Sequence, residues 1–323
     1  MRYYIGCDLG GTNVKVGLVD VIQGEVLCAN SIPTSAHKGY ESVIKRMAEA
    51  INTLVEESAQ SWAEIGAVGV SAPGMLDLEK GETVFLPNLP GQWRNVPLKA
   101  LLESALQKPV YLLNDVRAIT YGEWAFGAGK GARNMICFAI GTGVGGGVVL
   151  NNQLLLTQGG TAGELGHISV DLNGPQCGCG SFGCVEVYAS GPAITAMGIK
   201  AVVQGLTTSI RERCGNDLNK ITTKLLAEAA LDGDEVAQTI WDTAGFHLGV
   251  GICNAAIATG PERVVISGGV SAAGELLLAP IRRALKERMF VMPSEKIEVV
   301  VGKLGNTAGI IGTAVWAANA SSQ

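Results

Sequence analysis

The chain has 323 residues, 47% of them hydrophobic and 16% charged, enough to bury one large core or two and too apolar for a disordered chain. With 24 Lys+Arg against 29 Asp+Glu the net charge is −5, which argues against a nucleic-acid footprint and its clustered base, and with 5% aromatics no stacking platform for single strands is evident. The longest apolar runs, such as VVISGGV at 264–270, fall short of the roughly 18 residues of a membrane span, and MRYYIGCDLGG lacks a signal peptide's apolar stretch, so a cytoplasmic chain is expected.

Residues 1–35 read as three strands, YYIGCDL, VKVGLVD and EVLCANSIP, joined by the turns GGTN and IQG. Residues 39–60 carry a helical pattern with Val43, Met47, Ile51, Leu54 and Val55 on one face. AEIGAVGVSAPG predicts a buried strand feeding a loop, Pro97 to Gln107 a helix, and PVYLLND at 109–115 a strand ending in two polar residues and followed by a short helix. From 134 to 156 the meander returns as NMICFAIGTGVGGGVVLNNQLLL: strand, glycine turn, strand, Asn-Asn turn, strand. The layout parallels residues 3–28 and constitutes a weak internal repeat about 130 residues apart. Residues 188–259 are mostly helical, followed by the strand RVVISGG and a helix over 274–288. This order predicts a duplicated α/β architecture with mixed sheets, divided near residue 118 by topology rather than by any linker.

Glycine is the unusual count, 44 residues or about 14%, roughly double average usage, and the glycines cluster at the ends of apolar runs, as in a nucleotide or phosphate handler. GTGVGG at 141–146 matches the dinucleotide fingerprint by spacing, but GVVLNNQLLL follows it as strand and turn, so no helix N-terminus meets a pyrophosphate. DLGGTN at 8–13 and GTGVGG each sit in a hairpin and each carry a threonine. Such turns are either structural or cradle phosphate oxygens with freed backbone N–H groups, and their duplication favours phosphate. A Walker A motif is excluded, because Lys130 is followed by Gly131. Asp8 and Asp115 each end an apolar strand, where a carboxylate can accept a hydroxyl proton or hold Mg²⁺ and its waters; Asn114-Asp115 equally suits a helix cap.

Eight cysteines are expected to be reduced. Cys7, Cys28, Cys137, Cys214 and Cys253 are isolated and read as small core hydrophobes. His167, Cys177, Cys179 and Cys184 supply one imidazole and three thiols within 18 residues, the donor set of a closed tetrahedral zinc site. The preceding segment GELGHISVDLNGPQ carries no Lys or Arg, which argues against a DNA-binding finger. With one ring nitrogen on zinc, His167 can offer the other to a ligand. Glu164 and Glu186 flank the cluster, whereas His37 and His247 have no partners in sequence.

Together, DLGGTN, SAPG at 71–74, PNLPGQW at 87–93, LND at 113–115, GTGVGGG at 141–147, ELGH at 164–167 and CGCGSFGCVE at 177–186 resemble the ROK family (repressors, open reading frames, sugar kinases) of the actin-like, hexokinase-like ATPase superfamily. The resemblance covers essentially the whole chain. It implies a duplicated actin-like (ribonuclease H-like) fold of two α/β domains with the active site in a cleft between them: 1–118 plus about 309–323, and a larger domain over 119–308 with the zinc site. It also implies ATP-dependent phosphorylation of a hexose, foremost glucose at its 6-hydroxyl, by a homodimer or homotetramer. Asp115 would be the general base, and Gly74, Asn88, Asn114, Glu164, His167 and Glu186 would bind sugar. Asp8, Gly10, Gly11, Thr12, Asn13, Lys15, Thr142, Gly143, Gly268 and Gly269 would surround ATP and Mg²⁺, and His167, Cys177, Cys179 and Cys184 would hold structural zinc.

Two alternatives accompany this reading. One is a kinase for N-acetylmannosamine, fructose, mannose or allose, since GCVEVYASG at 183–191 is also similar to N-acetylmannosamine kinases. The other is a sugar-sensing repressor, which would carry a winged helix-turn-helix ahead of the phosphate motif; here that motif begins at Asp8, and the expectation is a kinase. One departure stands out. Where many family members continue Ala-Asn-Ala after the Asn-Asp pair, this chain has Val116-Arg117-Ala118, placing a cation where it would lower the base's strength or reach substrate or phosphate.

Overall fold

A computed structural model describes residues 1–86, 89–157 and 160–322. The chain forms two units: Met1–Gly131 with Gln153–Ala162 and Lys303–Gln323, and Ala132–Asn152 with Gly163–Gly302.

In the first unit, β1 (Tyr3–Leu9), β2 (Asn13–Asp20) and β3 (Glu25–Pro33) form the antiparallel meander. Helix α1 (Tyr40–Glu57), β4 (Ile65–Ala72), the hairpin β5 (Met75–Asp77) and β6 (Glu82–Phe85), α2 (Leu98–Leu106), β7 (Val110–Asn114) and α3 (Asp115–Ala125) follow. The sheet order is β3-β2-β1-β4-β7, with β1, β4 and β7 parallel. Strand alternation sends Ile5, Cys7 and Leu9 to one face, where they meet the predicted stripe of α1 and Leu98 and Leu102 of α2. Tyr4 and Ala67 face the other way, toward Tyr121 of α3 and Ile310, Ile311 and Ala314 of the C-terminal helix. That helix lies on the sheet at backbone distance, because a Cβ at Gly6 or Gly69 would collide with the carbonyls of Ile310 and Thr313.

The second unit repeats the plan. Strands β8 (Met135–Ile140) and β9 (Val144–Leu150) form its hairpin, after which the two-residue β10 (Gln153–Leu154) begins the return to the first unit. Helices α4 (Glu186–Ala189), α5 (Gly191–Val203), α6 (Ile210–Arg213), α7 (Thr223–Leu231) and α8 (Glu235–Thr259) precede β11 (Arg263–Ser267), α9 (Glu275–Arg288) and β12 (Glu298–Val301). Strands β9, β8, β11 and β12 lie side by side in that order, matching β2, β1, β4 and β7, and every residue of β8 is buried. Helix α10 (Ala308–Ala320) closes the chain in the first unit.

The division differs from the one placed by topology near residue 118, which falls inside α3. Helix α3 packs as one piece, and the buried carboxylate of Glu123 accepts the backbone N–H groups of Ala128, Lys303 and Leu304, so the first unit extends to Gly131 and resumes at Lys303. The β5–β6 hairpin and β12 have no counterpart in the sequence reading, being too short to show a period. Among the described residues, no helix is long and apolar enough to cross a membrane.

Candidate active site

In the first unit, the carboxyl ends of three parallel strands bring the candidate residues together, the edge where ligands gather in open α/β sheets. Asp8 pairs in register with Lys15 on β2 and with Ser71 on β4, and Ala72 pairs with Asn114 on β7. The Ser71 hydroxyl donates to Asp8 Oδ1 at 2.7 Å. Desolvation by the surrounding strands raises the Asp8 pKa, opposed by the Ser71 hydrogen bond and the Lys15 ammonium. The turn beyond Asp8 leaves Gly11, Thr12 and Asn13 exposed. It is pinned by Gly10 N–H donating to the Asn13 carbonyl at 2.9 Å, and by Thr34, whose hydroxyl reaches the Gly10 carbonyl at 2.7 Å and whose N–H reaches that of Thr12 at 2.8 Å.

Asn114 and Asp115 sit where β7 becomes α3, and Asn114 caps the helix as the alternative reading expected. Its Oδ1 accepts Val116 N–H at 3.0 Å and Arg117 N–H at 3.2 Å, and its Nδ2 donates to the Gly74 carbonyl at 3.0 Å. Gly74 adopts φ 84°, the left-handed turn that directs this carbonyl. Asp115 Oδ1 accepts Val116 N–H at 2.8 Å, so the carboxylate is held over the first turn of α3. Capping and ligand contact are therefore compatible uses of one junction. Arg117 is 1% exposed, with its guanidinium turned toward Asn114 and two backbone carbonyls of the first unit, a role that the sequence did not indicate. Asn88 lies outside the described residues.

In the second unit, the matching turn exposes Gly141 and Thr142 between β8 and β9, with a strand after it. Gly141 N–H donates to the Gly143 carbonyl at 2.9 Å, and Gly191 N–H to the Gly141 carbonyl at 2.8 Å. Gly268 and Gly269 follow β11; Gly268 has φ 84° and lies so close to Ile140 that a Cβ would strike its backbone. Glu186, at the start of α4, accepts Val144 N–H at 2.9 Å through Oε2, and its Oε1 lies 3.5 Å from Cys177 Sγ. It thus joins the glycine turn to the cysteine cluster. A Cβ at Gly143 would come within 2.6 Å of Glu186 Oε2, so a side chain there would displace that carboxylate.

One donor atom from each of His167, Cys177, Cys179 and Cys184 falls within 4.8 Å of every other. His167 Nδ1 lies 3.6 Å from Cys177 Sγ, and the Cys179 and Cys184 sulfurs are 3.7 Å apart. Zn–S bonds of about 2.3 Å and Zn–N bonds of about 2.1 Å at tetrahedral angles give edges of roughly 3.8 Å between sulfurs and 3.6 Å between sulfur and nitrogen, so the cluster fits zinc. Burial pushes the Cys177 thiol up to about 12 and raises that of Cys184, while the Ser181 amide holds Cys179 low. Glu164 stands just before the short 3-10 turn Leu165–His167, and its backbone carbonyl accepts His167 N–H at 3.1 Å.

The ROK family model matches residues 4–320. A glucokinase of Thermotoga maritima is 39% identical over 312 residues, covering 96% of this chain and 95% of that protein. A glucokinase of Halalkalibacterium halodurans is 35% identical over 315 residues, covering 96% and 93%. A ROK family glucokinase from Streptomyces griseus, solved in complex with glucose and AMPPNP, superposes with a TM-score of 0.84 at 33% identity, covering 98% of this chain and 99% of that one. The repeated strand order is accordingly that of the actin-like ATPase fold. Matched from its first strand to its last helix, the chain belongs to the ROK family.

Proposed function

We propose that the chain is an ATP-dependent glucokinase that transfers the γ-phosphoryl group of ATP to the 6-hydroxyl of glucose. The observation that carries the reading is its 35–39% identity to glucokinases along almost their whole length. Asp115 accepts the proton of the acceptor hydroxyl as that oxygen bonds to the γ-phosphorus and the bond to the ADP oxygen breaks. Asn114, Glu164, Glu186 and His167 contact sugar hydroxyls, and Asn88 and the Gly74 backbone are assigned to the same sugar. The turns at 10–13 and 141–143, with Asp8, Lys15, Gly268 and Gly269, receive the nucleotide. Asp8 suits Mg²⁺, because a carboxylate desolvated by its surroundings gains from a nearby cation. Mg²⁺, when bound, neutralises charge developing on the phosphates. His167, Cys177, Cys179 and Cys184 hold a structural zinc that orients the His167 ring.

A coupled assay of ADP release with Mg-ATP, run against glucose, mannose, fructose, allose, N-acetylglucosamine and N-acetylmannosamine, tests the reading. Glucose is expected to dominate kcat/KM; dominance of another sugar would overturn the specificity, and turnover of none would overturn the kinase. Asp115→Asn is expected to lower kcat by about 10²- to 10⁴-fold while glucose binding, followed by calorimetry, stays near that of the parent. Near-normal kcat would remove the base assignment.

A further inference from the structure

We propose that Arg117 is a positioning residue for the acceptor sugar, acting through Asn114 and through the loop that runs into Glu164. The proposal deepens the glucokinase reading and rests on its assignment of Asn114, Asp115 and Glu164 to the acceptor.

The guanidinium is a desolvated fork. Nη1 donates to Asn114 Oδ1 at 3.0 Å, Nε and Nη2 donate to the Ala162 carbonyl at 3.0 and 2.7 Å, and Nη2 donates to the Thr161 carbonyl at 3.1 Å. Two consecutive carbonyls converge on one cation only if the chain bends sharply around them. Gly160 at φ 67° and Gly163 at φ 90° flank Thr161 and Ala162 and supply that bend. Glu164 follows directly. The same guanidinium donates to the loop carbonyls and to the Asn114 amide, so loop and amide are held together by one buried charged group.

The same bonds fix what Asn114 can offer a ligand. Its Oδ1 already takes three donors, two backbone N–H groups and Arg117 Nη1, and one N–H of Nδ2 is engaged by Gly74. The second N–H of Nδ2 is what the side chain presents, so Asn114 donates to a sugar oxygen and does not accept from it. Lysine at 117 would keep the charge but not the planar fork that reaches a side-chain amide and two carbonyls at once.

Arg117→Lys and Arg117→Met test this, with steady-state kinetics in both substrates and glucose binding by calorimetry. Both are expected to raise the KM for glucose tenfold or more, to leave the KM for Mg-ATP within twofold, and to lower kcat less than they raise the glucose KM. Gly160→Ala strains the loop without touching the guanidinium and is expected to shift the same parameter, which decides the matter should both Arg117 variants fail to fold. In a double-mutant cycle, Asn114→Ala with Arg117→Lys is expected to weaken glucose binding by less than the product of the single effects. A glucose KM within twofold of the parent in the folded variants, equal shifts in both KM values, or fully multiplicative effects in the cycle would overturn the proposal. Asp115→Asn separates the two levels. If it keeps turnover, the site reading falls; if it loses turnover while Arg117→Lys binds glucose normally, this inference alone falls.

Discussion

Asp8 shows how far one side chain can be set against its own stability. Its carboxyl has a raised pKa, first from desolvation, with Ser71 and Lys15 only opposing the shift. A carboxyl whose folded pKa is raised is protonated more easily in the native protein than in the unfolded chain. Its ionised form therefore weakens folding at neutral pH, and the penalty disappears as pH falls through the raised value. Asp8→Asn is expected to raise Tm of the ligand-free protein at pH 7 by a few degrees, with the gain vanishing in acid, and to suppress Mg-ATP turnover. A scan of Tm against pH for both forms checks it, and a lower Tm in the variant at pH 7 would contradict the account.

At the scale of elements, helix termini do much of the placing. Asp234 caps α8, the 25-residue helix, accepting Ala237 N–H at 2.9 Å, Ser209 N–H at 2.6 Å, and the hydroxyls of Thr208 and Ser209 at 2.7 and 2.8 Å. Desolvation alone would raise its pKa, yet these donors together hold it below the ordinary carboxylate range. The stabilisation is complete above the unfolded value near ~3.9 and is lost as pH falls through the depressed folded value. Asp234→Ala is expected to cost about 1–2 kcal/mol in urea unfolding at pH 7, with the difference shrinking below about pH 4. A loss that stayed constant into acid would mean the cap does not act through its charge.

For the molecule as a whole, zinc is expected to be part of the fold of the second unit, because its four donors lie on a stretch, 167–184, that carries no helix or strand beyond the turn ending at His167. Removing it with a strong chelator, or mutating Cys179→Ser, is expected to release one zinc per chain, lower Tm and weaken glucose binding together through His167 and Glu186. Metal analysis beside calorimetry checks this. A zinc-free protein with unchanged glucose affinity would confine the metal to a structural role.

The sequence by itself determined the duplicated meander, the stripe of α1, the two glycine turns and the cluster of one histidine and three cysteines. Each is a local pattern, a period of two or 3.6 residues or a fixed spacing of ligands, and local patterns survive in one dimension. The Asn114-Asp115 junction was legible as a pair with two uses, and the structure shows the cap. The tertiary structure alone decided that Ser71 meets Asp8, that Glu186 ties Val144 to the cysteine cluster, and that Arg117 turns to Asn114, Thr161 and Ala162. The contacts of Ser71 with Asp8, Glu186 with Val144 and Arg117 with the two loop carbonyls join residues tens of positions apart, and no periodicity or motif encodes which carbonyl a buried guanidinium will find. The compact units divide at Gly131 and Lys303 rather than near residue 118 for the same reason: the division is set by which segments Glu123 and α10 hold together, a property of packing and not of composition.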